Sequence, residues 1–282
     1  MKKYIQHTFL FVLFIAFVSC DDPVDVDLMD APPRLVIEAS IDWEQGTVGN
    51  NQMIKLSTST PFFDNTSDAS VTGASVKVTN NNSNAEFTFT DQNDGTYTTD
   101  SFVPVLNNSY TLEVIYNGEV YTATETMTPV TGINEVFQSL EGGFDEELLD
   151  VNITYNDPQE FGNYYMIRLQ EVGDLFPIIE TRSDEFTNGN VQDEFFEKDD
   201  DDDFPDNQFD PGDSVNIKLF GISERYYNYI TLLIEQYDSA GNPFATTPAE
   251  IRGNCINVTN TDNYAFGYFR VTEFDQVDYT FQ

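Results

Sequence analysis

Few residues in this 282-residue chain could carry covalent or metal chemistry. There are two cysteines, Cys20 and Cys255, and one histidine, His7. A thiol can be acylated, oxidised or metallated once it ionises. A histidine near residue 7 of an export leader is lost to whatever follows it. No Ser-His-Asp triad and no Cys-His pair can then be assembled downstream. Zinc and other transition-metal sites also lose their commonest ligand. Carboxylates, by contrast, are abundant, with 49 Asp and Glu against 12 Lys and Arg. The chemistry that remains open is acylation of a thiol, acid–base work by paired carboxylates, or coordination of a hard cation by oxygen.

Cys20 has the surroundings that acylation needs. Lys2 and Lys3 precede ten apolar residues, Phe9 to Val18, which run into Ser19 and Cys20. A charged start, a short apolar run and a small residue at the junction make a secretory signal, residues 1–19. The run is too short to cross a bilayer as a helix, which takes about 20 residues. Phe17-Val18-Ser19-Cys20 resembles a bacterial lipobox, with Phe17 where the strict motif has Leu. Cys20 is therefore expected to take lipid and become the mature N-terminus. The alternative is ordinary secretion with Cys20 unmodified. Cleavage before Cys20 removes Lys2, Lys3 and His7, so net charge moves from −37 to −39 and no histidine is left. Cys255 then has no partner in the chain, and a buried, inert thiol is the favoured reading over a reactive one.

So acidic a chain lacks the Lys and Arg clusters that phosphate backbones need, so no nucleic-acid partner is expected. Anionic lipid surfaces are excluded on the same ground. Residues 20–33 are acidic and punctuated by proline, and read as a tether. The densest acidic stretch is Ser183–Asp213, with 13 acids against one base, Lys198. Such a block self-repels and reads as a solvated loop. The sharper alternative is calcium, with Asp199, Asp201 and Asp203 as candidate ligands, although the EF-hand register is missing. Phe195, Phe196, Phe204 and Phe209 interrupt the acids and would anchor the loop on something apolar. Paired carboxylates can hydrolyse glycosides without histidine. With 49 acids, however, pairs arise by chance, and the chain is expected not to be an enzyme.

The elements that would carry these residues are mainly β. Leu35, Ile37, Ala39 and Ile41 alternate with polar neighbours, the period-two signature of a half-buried strand. Similar runs follow at Met53–Ser59, Ala74–Thr79, Ala85–Thr90, Gly95–Thr99, Ser109–Tyr116 and Glu119–Met127. Asn117-Gly118 between the last two is a strong two-residue hairpin signal. The spacing predicts an immunoglobulin-like β-sandwich over 34–129. Trp43 reads as a rim or core residue, or else as an exposed recognition aromatic. Residues 130–147 read as a linker. The rest, 130–282, reads as a β-rich domain with strands at Val151–Tyr155, Asn163–Glu171, Leu175–Thr181 and Asp213–Gly221, and a closing hairpin of Tyr264–Thr272 with Val277–Phe281. One amphipathic helix is expected over 223–238, capped by Ser223, with Tyr227, Ile230, Ile234 and Tyr237 on its covered face.

Taken in order, several of these pieces resemble a family of Bacteroidota outer-membrane lipoproteins described only as a domain of unknown function, number 4249. The carriers are Cys20-Asp21-Asp22, Pro33–Glu38, Leu56–Phe63, Val71–Val76, the Tyr110–Pro129 hairpin, Tyr226–Tyr229, Gly241–Phe244, Ile251–Asn254 and Gly267–Phe269. The resemblance implies a lipid-anchored protein of the outer-membrane surface, with Asp21 and Asp22 as its surface-export signal. It also implies a TonB-dependent transporter barrel of the starch-utilisation type as partner, and no catalytic residues. The second expectation is a stand-alone binding module for glycan, peptide or calcium, with Trp43 and Tyr226–Tyr229 as stacking surfaces. No cofactor other than calcium is suggested.

Overall fold

The computed structural model describes residues 32–61, 68–143, 147–198, 208–239 and 250–282. Strand β1 (Leu35–Glu44) buries Leu35, Ile37, Ala39 and Ile41 on one face and turns Glu38 and Ser40 outward. The alternation of Cβ atoms across a strand does this without help from distant residues. β2 (Gln52–Thr58) pairs antiparallel with β1, and β5 (Thr96–Thr99) with β2. β4 (Ala85–Asp91) bonds β5 through Thr90 and Asp91 and bonds β3 (Ser75–Asn80) along the rest of its length. It is the corner at which one continuous sheet turns over on itself. β6 (Ser109–Tyr116) and β7 (Glu119–Thr126) continue the sheet beyond β3. Asn117 and Gly118 both hold positive φ, 50° and 79°, as a type I′ hairpin demands.

The curl encloses a first core of Ile37, Ile41, Leu56, Val78, Phe102, Tyr110 and their neighbours. Its buried tyrosine hydroxyls are satisfied locally. Tyr97 donates to Val71 O and accepts from the Ala74 N–H, and Tyr110 donates to Val103 O and accepts from the Val105 N–H. This half has the sandwich character expected for 34–129. The first core is completed by the end of the chain, however. Cys255, Ala265, Phe269 and Val271 belong to it, and the short strand β14 (Ile256–Asn257) pairs with β7.

β8 (Ile133–Ser139), β9 (Asp150–Asn156) and β12 (Val191–Glu197) form a separate small sheet, in the order β12-β9-β8. β10 (Tyr164–Glu171), β11 (Ile178–Ser183), β13 (Ser214–Ile222) and β15 (Phe266–Thr280) extend the large sheet to twelve strands. A second core, including Ile153, Tyr155, Tyr165, Ile167, Phe196, Ile217 and Phe281, lies between the two sheets. Helix α1 (Glu224–Asp238) covers the opposite face of the large sheet over β10 and β11. Ser223 caps it, accepting from the Tyr226 N–H at 3.2 Å.

Several expectations are corrected. The closing hairpin is one continuous strand, β15. Its first part runs parallel to β1, Val36 opposite Phe266 through Glu44 opposite Phe274, and its second part runs antiparallel to β13. The expected linker 130–147 contains β8. The acidic stretch 183–213 is not all loop, because β12 lies within it. On α1, Tyr226 is the buried aromatic, packed on Tyr268 and Tyr229, while Tyr237 is 78% exposed.

Candidate functional site

Cys20, Asp21 and Asp22 lie outside the described residues, as do Asp199, Asp201, Asp203 and Phe204. The flanks of the acidic stretch are described. Phe196 and Phe209 are both buried in the second core. Lys198 is held between Glu171 and Asp174, the latter at 2.7 Å, and lies 5.3 Å from the centre of the Phe209 ring. Among the described residues, no group of three or more His, Cys, Asp and Glu is arranged to hold a metal ion. Trp43 is half buried against the first core, and its indole N–H donates to Thr47 O at 2.9 Å.

The largest concave surface is a groove of about 940 Å3 between α1 and β11. Ile179 and Thr181 point from β11 toward the helix, and Thr181 Oγ1 meets Thr231 Oγ1 at 2.9 Å. Ile234 and Tyr237 form the helix wall, and Phe176, 76% exposed, stands at the mouth. Arg182 is neutralised by Glu180 and by Glu194, the latter from β12 at 2.6 Å. Burial raises the Glu194 carboxyl pKa, and the Arg182 guanidinium only partly opposes it. The walls are apolar with a few fixed charges at the rim, the usual make-up of a recognition surface.

Polar residues elsewhere close on one another. The Arg270 guanidinium takes both oxygens of Asp42, at 3.0 and 2.8 Å from Nη2, and donates to Tyr226 Oη at 2.7 Å. Burial opposes its charge, but Asp42 and Tyr226 outweigh that and raise its pKa. Arg34 and Arg252 lie 3.7 Å from the centre of the Tyr264 ring. Glu119 accepts from Asn257, Asn260, Asn263 and the Tyr121 hydroxyl. Asn263 and Tyr121 hold its carboxyl below the usual range, which makes it a poor general base at neutral pH. On the outer face of the first core, Thr88, Thr90, Thr98 and Thr99 border a shallow hollow of about 570 Å3. Sequence reasoning missed both the groove and the hollow. Each is built from residues of unremarkable type brought together by strand order.

Comparison with protein families returns one model, "Domain of unknown function (DUF4249)", over residues 21–276. The chain belongs to this family. The match takes in both cores, the groove and the hollow, so these features lie within the DUF4249 region. A comparison with curated proteins found no match. Solved structures with similar strand arrangements include a cytokine receptor complex, at 9% identity and a TM-score of 0.27, covering 68% of this chain and 86% of that one. Another is a two-domain fibronectin type III segment of chicken tenascin, at 8% identity and a TM-score of 0.22, covering 68% and 91%. A third is a DUF4785 family protein of Legionella pneumophila, at 14% identity and a TM-score of 0.24, covering 66% and 51%.

Proposed function

We propose that this DUF4249 protein is a lipid-anchored lipoprotein of the outer-membrane surface. In this reading it serves as a non-catalytic accessory subunit of a TonB-dependent transporter of the starch-utilisation type. The observation that carries the reading is Phe17-Val18-Ser19-Cys20-Asp21-Asp22 after the apolar run Phe9–Val18. Cys20 takes the lipid, and the two acids after it direct the protein to the surface. The lack of histidine beyond His7 supports a binding role over a catalytic one. The α1–β11 groove offers a face on which another protein could seat.

Metabolic labelling with a fatty acid tests the anchor. Wild-type protein incorporates label and stays with membranes, and Cys20→Ser does neither; labelling that survives the substitution overturns the anchor. Affinity purification from detergent-solubilised outer membranes tests the partner. A barrel protein co-purifies if the reading holds, and repeated recovery without one overturns it.

The threonine-bordered hollow favours a second reading, a stand-alone module for a small polar ligand such as a glycan. Saturable heat on titrating a glycan panel into the isolated protein, lost in Thr90→Val with Thr98→Val, would support it.

A further inference from the structure

We infer that the open edge of β11, beneath α1, is a docking site for an extended peptide segment of another protein, one that alternates apolar and basic side chains and adds to the large sheet as a strand. The strand order places β11 at the end of the twelve-stranded sheet, with β10 on one side only. The phase of its backbone follows from one hydrogen bond. The Asp184 N–H donates to Asn163 O on the β10 side. In an antiparallel pair, alternate residues direct both backbone groups to the same neighbour. Ile178, Glu180 and Arg182 therefore face β10, and Ile179, Thr181 and Ser183 present N–H and C=O outward. Thr181 O accepts from Arg182 Nη1 at 3.0 Å, which blunts the edge but leaves the carbonyl a second lone pair.

The groove lies along this edge and not over one face of the strand. Consecutive residues from Phe176 to Arg182 border it, and they alternate between the two faces. Its other wall is the last part of α1. A strand added beyond β11 would place alternate side chains against Ile234 and Tyr237, while its backbone meets Ile179 and Thr181. Main-chain bonds with pockets for alternate side chains are how edge strands recognise peptides. Charge selects the partner. Arg182 is spent on Glu180 and Glu194, whereas Glu235 and Asp238 at the rim have no ion-pair partner among the described residues. The net charge of −37 reinforces the preference for Lys and Arg in the incoming segment. The inference does not depend on the lipid anchor or on the identity of a barrel.

The test uses the full chain purified in detergent and a blocked heptapeptide of alternating Lys and Val, with a Glu and Val analogue and a mid-proline analogue as controls. The Lys and Val peptide is expected to bind by calorimetry and to slow amide exchange at Ile179, Thr181 and Ser183. Thr181→Pro is expected to weaken binding about tenfold or more, since it removes an outward N–H and crowds the edge. Its thermal midpoint should stay near wild type, because that N–H makes no bond to β10. Ile234→Asp, which alters only the helix wall, is expected to weaken binding too and decides the matter if Thr181→Pro does not fold. The inference is overturned by no binding, by protection elsewhere, by equal binding of the acidic peptide, or by affinity that neither variant changes. A concentration-dependent dimer abolished by Thr181→Pro would also overturn it, assigning the edge to a second copy of this chain.

Discussion

The thiol of Cys255 lies in the first core, donating to Asn254 Oδ1 at 3.7 Å, and burial pushes its pKa up to about 12. At pH 8 about one thiol in ten thousand would then be ionised. Iodoacetamide should leave Cys255 of the folded protein unmodified for hours and alkylate it at once in denaturant, as read by mass spectrometry of its peptide. Rapid native labelling would contradict the burial. Glu119 gives a pH dependence of determinate sign. Asn263 first, then Tyr121, Asn260 and Asn257, favour its ionised form in the fold. Its contribution is therefore present above the ordinary carboxylate range and lost as pH falls through the lowered folded value. Amide exchange in the 257–263 turn should accelerate below about pH 4 in wild type. In Glu119→Gln it should be fast already at neutral pH and show no such acid step; an unchanged acid profile in the variant would exclude Glu119 as the cause. Inert Cys255 was legible from its lone status. The Asn257, Asn260 and Asn263 shell was not, because its acceptor lies more than 130 residues earlier in the chain.

Elements announced by local pattern are where the residues place them, and the exceptions have physical causes. β8 escaped notice because a bulge between Ile133 and Glu135 lets Ile133 and Val136, three apart, face the same core. β12 was hidden by its acids, yet its inward Glu194 meets Arg182 and its inward Phe196 is buried. β15 seemed to break at Glu273-Phe274-Asp275. There the Glu273 carboxylate accepts the Val130 N–H at 3.1 Å, and that of Asp275 accepts the Ile133 N–H at 2.8 Å, so the acids tie down the crossing chain. Gly267 is the element-level test. It sits at φ +92°, and a Cβ there would run into the backbone carbonyl of Ile37 across the parallel pair. Gly267→Ala should destabilise the fold by about 2–4 kcal/mol in urea unfolding; a loss below about 0.5 kcal/mol, the level of an ordinary surface change, would mean that β1 and β15 can separate there cheaply.

On the scale of the molecule, the charge of −37 sets a cost on compactness. Raising salt from about 0.01 M to 0.15 M shortens the screening length from about 30 Å to about 8 Å. The thermal midpoint should rise by several degrees over that range, and a flat or falling midpoint would show that ion pairs such as Arg270–Asp42 outweigh the repulsion. Local physics settled much of this protein before any tertiary contact. Period-two alternation determined which faces of β1, β6, β9 and β10 are buried, Asn117-Gly118 determined a hairpin, and Ser223 determined where the helix begins. These depend on neighbours a few residues apart, whose geometry the backbone itself imposes. Only the tertiary structure decided that β1 lies beside β15, that β4 turns the sheet over, and that β11 is left at an edge under α1. Those outcomes rest on pairings between residues up to about 230 positions apart, as in Val36 with Phe266. Many strands here could satisfy the same alternation, and only the packing of the whole selects among them.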